Sequence, residues 1–352
     1  MSLLSIHNTG SKILIIGPSW VGDMVMAQSL FIRIKEQQPN AIIDVLAPSW
    51  SRPIIERMPE VNRAIDMPLG HGLFKIGMRR TLGHQLRKER YDQAIVLPNS
   101  WKSALIPWFA NIPLRTGWKG EMRYGLLNDC RTLDKQALPF MVERFVALAY
   151  PPRDTAKAKI QHCPIPALQA NAANIPALLT KFTLHQQQPI LTLCPGAEFG
   201  SSKQWPAAHY AATAKAMIAQ GYQVWIMGSP ADEDIALSIH QSLSEGQQSH
   251  LIRLCGKTSL EEAIDLLSIA DHVISNDSGL MHIASALNKP LVALYGSTSS
   301  AFTPPLSKTA ETLSIPVDCG PCFKRECPEK HHKCLQELYP EQVLKILMGN
   351  ET

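Results

Sequence analysis

Two stretches of this sequence carry side chains whose types and spacing could do chemistry. In "ISNDSGLMHIASALNKPLVALYG", Asn276 and Asp277 end an apolar run, Ser278 and Gly279 open a helical pattern, and His282 lies within its first turn. The free backbone N–H groups of a helix start favour an anion. With a histidine able to turn to the same rim, the pattern suits a pyrophosphate or a ribose; a plain N-cap at Asp277 or Ser278 is the competing reading. In "GPSWVGDMVMAQSLF", Asp23 stands where such turns usually receive phosphate. The helix dipole favours a carboxylate there, so a capping acid is one reading. The other is a general base, an ionised acid placed across from an activated leaving group to deprotonate an acceptor hydroxyl.

Lys203, in "GSSKQWP", follows a glycine-containing turn and precedes a helix, where a lysine can meet a β-phosphate as a point charge or simply be an exposed loop residue. Asp232-Glu233-Asp234 forms a D-x-D that could hold a metal-bound diphosphate or supply acids to the first turn of a helix. Cys319, Cys322, Cys327 and Cys334 form C-x2-C-x4-C-x6-C, with His331 and His332 between the last two. Four thiolates so spaced could wrap a Zn²⁺; a reduced packed cluster and an oxidised pair are the alternatives, and no metal ligand is assigned. The first turn lacks G-x-G-x-x-G, and Asp44 sits mid-strand where a dinucleotide-binding acid would stand at the strand end. A dehydrogenase is thereby disfavoured, and the absence of G-x-x-x-x-G-K-[ST] excludes a P-loop kinase.

The elements that must position these residues alternate almost throughout. KILII, AIIDVLA, RAIDM and DQAIVLP are each followed by ten or more residues of helix-compatible pattern, the βαβ rhythm of a doubly wound parallel sheet. Met24, Ala27, Leu30, Phe31 and Ile34 form one apolar stripe and read as core. The rhythm lapses near "YPPRDTAKAKIQHCPIPALQ", where prolines 151, 152, 164, 166 and 176 mark an interdomain connection. It restarts with ILTLCPG, QVWIMGS, HLIRLCG, HVISND and PLVALYG, with helices expected from Ala207, Ala231, Leu260 and Gly279. Ligands of such sheets bind at the carboxyl ends of the strands. In the second half those ends are rich in Gly, Ser, Thr and small acids, as a nucleotide diphosphate requires.

The totals bound the function. A chain of 352 residues favours two domains, and apolar and charged fractions of 45% and 18% are globular. Residues 1–160 carry 22 Lys and Arg against 13 Asp and Glu, whereas the remainder carries 12 against 17. The first half could face an anionic partner or present a solvated basic face. The first eleven residues lack a signal-peptide pattern, and no apolar run approaches the ~18 residues of a membrane span. A cytoplasmic protein with reduced thiols, at most peripheral on a membrane, is expected.

With those residues in place the chain resembles the ADP-heptose:lipopolysaccharide heptosyltransferase family over nearly its whole length. The blocks that carry the resemblance are "GPSWVGDMVMAQSL", "MPLGHG", "VLPNSWKSAL", "RTGWKGEMRYGLLND", "CPGAEFGSSKQWP" and "NDSGLMHIASALNKPLVALYGSTSSAFTPPLS"; the cysteine-rich tail carries none of it. The resemblance implies an α/β GT-B architecture of two Rossmann-like domains facing a cleft. The implied divisions are 1–160 for the acceptor, 161–185 as linker, 186–335 for the nucleotide sugar, and 336–352 as a helix returning to the first domain. It implies an inverting reaction without metal or other cofactor, with Asp23 as the catalytic acid residue after the first-strand glycine. The implied donor set is Lys203 on phosphate, the D-[ST]-G-x-x-H motif of Asp277, Ser278, Gly279 and His282, and Ser201, Ser229, Gly256 and Asn276 from the same strand ends. The implied partners are ADP-heptose and a lipopolysaccharide inner-core acceptor held at the inner face of the inner membrane, with Lys102, Arg115 and Arg123 as acceptor contacts. No nucleic acid is implied, and a monomer is the expected state. The alternatives are a GT-B-like nucleotide-sugar epimerase and a non-catalytic nucleotide-sugar-binding module.

Overall fold

Short aliphatic runs flanked by turn residues fold into twelve strands among the residues described by the computed structural model, which are 10–68, 74–151, 160 and 162–349. The start of the chain, most of the "MPLGHG" block and part of the proline-rich connection lie outside them. The strands are β1 (Lys12–Ile16), β2 (Ile42–Pro48), β3 (Val61–Met67), β4 (Gln93–Val96), β5 (Leu114–Trp118) and β6 (Asp129–Arg131), then β7 (Ile190–Cys194), β8 (Gln223–Ile226), β9 (Leu251–Arg253), β10 (His272–Asn276), β11 (Leu291–Leu294) and β12 (Ala310–Leu313). They form two six-stranded parallel sheets ordered β3-β2-β1-β4-β5-β6 and β12-β11-β10-β7-β8-β9, the same Rossmann order twice. The expected α/β class is observed. The central strands are buried on both faces, which is why they read as unbroken apolar runs.

The chain divides into two compact units, Met1–Pro166 and Ala167–Thr352. In the first, helix Val21–Gln37 buries the expected stripe and also Val25, Met26, Gln28 and Ser29, so it is packed on more than one side. The long helix expected after β2 is instead one turn, Arg52–Ile55, with Pro59 soon after it, a residue that disfavours helix in its predecessor. Strands β5 and β6 are short and only partly apolar, which left them below the threshold of a periodicity reading.

In the second unit, residues 167–185, expected in the linker, are folded in: Leu168, Leu178 and Leu184 are buried, helix Ile175–Phe182 forms, and Asp265 accepts from Asn171 N (2.8 Å) and Asn174 Nδ2 (2.9 Å). The last helix, Pro340–Leu347, buries Val343 and Leu347 in the core of the second unit and packs on helix Ala207–Ala219. Buried Trp205 ties that junction by donating Nε1–H to Leu338 O at 2.7 Å. Asp232 proves to be a cap: its Oδ2 accepts from Ser229 N and Oγ at 2.8 Å each, while Glu233 pairs with Arg253 at 2.7 Å. The first acid of the D-x-D is therefore taken up by a local cap, while Asp234 is exposed in the first turn of helix Glu233–Gln241.

Asp44 shows why it is no ribose ligand. Wholly buried in β2, its carboxylate accepts from Tyr91 Oη (2.6 Å), Asn62 Nδ2 (2.8 Å) and Arg63 Nη2 (3.0 Å). A buried carboxylate is tolerated only when its lone pairs are satisfied. Tyr91→Phe removes one donor from a buried anion and should lower unfolding stability by about 1–3 kcal/mol in urea titration; unchanged stability would show that water replaces the hydroxyl.

Candidate active site

Each sheet reverses its strand order once, at β1/β4 and at β7/β10. There the connections leave on opposite faces and open a crevice at the carboxyl ends. The residues leaving these four strands are 17–23 and 97–101 in the first unit, and 195–203 and 277–282 in the second. The segments singled out for their chemistry thus lie at the two switch points.

In the second unit Lys203 Nζ is 2.6 Å from Asp277 Oδ2 and 3.3 Å from Asp277 O, and lies 4.9 Å above the Phe199 ring. The pair is largely buried, the side chains being 13% and 5% exposed. Thr298 Oγ1 donates to the same Oδ2 at 2.6 Å, and Thr303 Oγ1 reaches Oδ1 at 3.5 Å. An ammonium has three N–H donors, so the pair leaves one for a further acceptor while the carboxylate fixes its direction. Thr298 and Thr303 were not named from sequence; the small polar run after β11 was the available signal.

Ser278 is the N-cap of helix Gly279–Ala286 but makes no side-chain capping bond; its Oγ faces Ser275 Oγ at 3.2 Å. The plain-cap reading is thereby weakened, because the first-turn N–H groups are not consumed by that side chain. His282 is buried, and burial pushes its pKa down to about 4, with Lys203 acting in the same direction and Asp277 against both. At neutral pH it offers a hydrogen bond and no charge. Asn276, assigned to the donor, is instead a bracket with no exposed surface: Oδ1 accepts from Trp205 N and Tyr210 Oη at 3.1 Å each, and Nδ2 donates to Pro195 O at 2.7 Å. It fixes the β7 turn relative to β10. Ser201 is exposed on the turn carrying Lys203, Ser229 is committed to its capping box, and Gly256 takes φ +67 with its N–H on Gly228 O at 3.0 Å.

The four tail cysteines are free and, with His331 and His332, line one small cavity beside Ser202 and Ser297. Among the described residues no group of three or more His, Cys, Asp or Glu is arranged to hold a metal. The tail is stitched to the donor-side loops by Ser202 N to Arg325 O (3.1 Å), Phe323 N to Ser297 O (2.8 Å) and Ser202 Oγ to Ser297 Oγ (2.9 Å). Gly200 passes so near the tail that a Cβ would sit 2.2 Å from Arg325 O.

In the first unit Asp23 occupies the first turn of helix Val21–Gln37, whose N-cap is Trp20. Asp23 is thus the third helical residue, where the dipole favours an acid, so the capping-acid reading stands beside that of the general base. Gly17 lets β1 turn directly onto this helix, since a Cβ there would meet Met24 Cε at 2.7 Å. Lys102 is half-buried after β4. Arg123 is a correction: with no exposed surface, it donates to Pro98 O at 2.6 Å, to Ser103 Oγ at 3.4 Å and to Trp118 O, so it locks the loops after β4 and β5 together and does not face a ligand. Arg115 likewise spends its guanidinium on Leu126 O (2.7 Å) and Ile112 O (2.5 Å).

The lowered His282 pKa fixes a pH dependence. The unfolded chain takes up that proton near pH 6.5 and the folded chain only near 4, so stability is complete above 6.5 and is lost as pH falls through that window. His282→Gln should flatten the stability-versus-pH slope there by up to about 1.4 kcal/mol per pH unit. Equal slopes in denaturant titrations would mean the imidazole is solvated.

A family model described as glycosyltransferase family 9 (heptosyltransferase) matches residues 79–333. The chain is 52% identical over 338 residues to lipopolysaccharide heptosyltransferase 2 of Salmonella typhimurium, covering 96% of this chain and 97% of that one. Against the Escherichia coli K12 protein of the same name the identity is 51%, with the same coverage. The solved structure of E. coli ADP-heptose LPS heptosyltransferase II superposes with a TM-score of 0.87 at 49% identity, covering 96% of this chain and 97% of that one. A glycosyl transferase family 9 structure from Veillonella parvula, with TM-score 0.81 at 18% identity, shares the fold. By family match, by identity over nearly its full length and by fold, the chain is a glycosyltransferase and belongs to family 9, the heptosyltransferases.

Proposed function

We propose that the chain transfers L-glycero-D-manno-heptose from ADP-heptose to the first heptose of the lipopolysaccharide inner core, heptosyl-Kdo2-lipid A. The observation that carries this reading is identity at half of all positions, over 96% of the chain, with relatives named for heptosyltransferase 2. What supports it at the donor end is that Lys203, held by Asp277, and the open Ser278–Gly279 helix start offer N–H donors of the kind that charge growing on a departing ADP requires. In this reading Asp23 accepts the proton of the acceptor hydroxyl as its oxygen bonds to the anomeric carbon and the bond to ADP breaks. Displacement from the opposite face inverts that carbon, as the family resemblance implies, and no metal enters the step. The acceptor's phosphates and carboxylates suit the basic first half, where Lys102 remains the contact of the three first assigned.

The direct test is heptose transfer by the purified chain from ADP-heptose to a truncated lipopolysaccharide core. ADP release that requires the acceptor supports the transferase; release without it, or none, favours the epimerase or the binding module. Asp23→Asn should lower kcat by ~10²–10⁴ with little change in ADP affinity, and near-normal turnover would return Asp23 to a structural role. Lys203→Ala should weaken ADP far more than adenosine, by about 1.5–3 kcal/mol for one charge-assisted contact. Equal losses in calorimetry would place Lys203 away from the diphosphate.

A further inference from the structure

The cysteine-rich tail carries none of the blocks by which the chain resembles its family, yet its residues 323–325 run as a strap across the turn that holds Lys203. Phe323 N donates to Ser297 O at 2.8 Å, Ser202 N to Arg325 O at 3.1 Å, and Ser202 Oγ to the Lys324 carbonyl. The Phe323 and Phe302 rings meet edge to face with centroids 5.9 Å apart. Gly200 admits the strap, since a Cβ there would run into the Arg325 carbonyl. Main-chain bonds therefore fix the backbone of Arg325 beside Lys203, independently of the side chain at position 325. That side chain turns back over the same turn: its Cζ lies 5.5 Å from the centroid of the half-buried Phe199 ring, and Lys203 Nζ lies 4.9 Å from the same centroid. The two cations are thus no more than about 10 Å apart, within one Debye length at 0.1 M salt.

Like charges brought together on one ring repel unless an anion joins them. Lys203 has Asp277 at 2.6 Å, whereas Arg325 is exposed and, among the described residues, pairs with no carboxylate. A guanidinium in that position can meet two phosphate oxygens at once with its planar fork, where an ammonium acts as a point charge. We propose that Arg325 is a donor-binding residue, a second cation that holds the diphosphate met by Lys203 and the start of helix Gly279–Ala286. The tail thereby has a use: its main-chain bonds to Ser202 and Ser297 carry an arginine to the edge of the β7 turn. An arginine stacked on Phe199 for packing alone would contribute to folding stability and not to phosphate affinity. The inference rests on the reading of the Lys203 turn as the diphosphate site, and it deepens that reading by adding a contact from outside the β7 and β10 ends.

The test is calorimetric titration of the full chain with ADP and with adenosine at one salt concentration, for the parent, Lys203→Ala, Arg325→Ala, Arg325→Lys and Lys324→Ala. Arg325→Ala should weaken ADP by about tenfold to 100-fold, the loss of one charge-assisted contact, and leave adenosine within about twofold. Its unfolding midpoint should match the parent's, because main-chain bonds hold the strap. Arg325→Lys should recover only part of the loss, since an ammonium does not reproduce the fork. Lys324→Ala removes an equal charge one residue away and should weaken ADP by less than about threefold, the share of the general field. Unchanged ADP affinity in Arg325→Ala beside a loss in Lys203→Ala would overturn this proposal alone. A parent that binds no ADP would overturn the diphosphate reading, and this proposal with it. Equal losses of ADP and adenosine, or equal losses of ADP from Arg325→Ala and Lys324→Ala, would overturn it too, the first pointing to a collapsed turn and the second to long-range charge.

Discussion

A lysine and an aspartate 74 residues apart in sequence meet at 2.6 Å with little access to water, and the turns after β7, β10 and β11 converge on that contact. Desolvating both charges is costly unless geometry and further hydrogen bonds compensate. Compensation comes from Thr298 and Thr303 on the carboxylate and from the Asp277 carbonyl and the Phe199 ring on the ammonium. The contact also requires the ends of β7 and β10 to hold fixed relative positions. Asn276 supplies this by bridging Pro195, Trp205 and Tyr210, and Ser202 by joining the β7 turn to the β11 loop and to the cysteine-rich tail.

The same strand order appears in both units, yet the two carboxyl edges present different chemistry. The second offers glycine, serine and threonine around one ion pair, which lets a ligand approach the backbone and meet N–H groups. The first offers tryptophan, methionine and lysine over a scaffold held by Arg79 and Arg123. Fold alone therefore does not say what each edge binds; the side chains mounted on it do.

Much of the fold was legible in the sequence because parallel strands buried on both faces announce themselves as apolar runs, whereas the residues in the turns after β1, β7 and β10 each had a structural use as well as a chemical one. Less legible was the destination of polar side chains. Arg123 and Asn276 look like ligand contacts by type, and only the tertiary fold shows that backbone carbonyls take their N–H groups and that Asn276 Oδ1 accepts from Trp205 N. The terminal segment forms a helix, and its apolar stripe does not by itself name the surface that covers it. Strands β6 and β12 are three and four residues long and depend on their neighbours for pairing, so no local pattern marks them.

On the proposed function, the paired Lys203 and the open start of helix Gly279–Ala286 form one diphosphate site, which a crystal structure of the chain with ADP would test. Phosphate oxygens are expected within hydrogen-bond distance of Lys203 Nζ and of the first N–H groups of that helix, with the Lys203–Asp277 pair intact. A diphosphate bound away from the β7 and β10 ends, or a Lys203 that abandons Asp277 on binding, would contradict it.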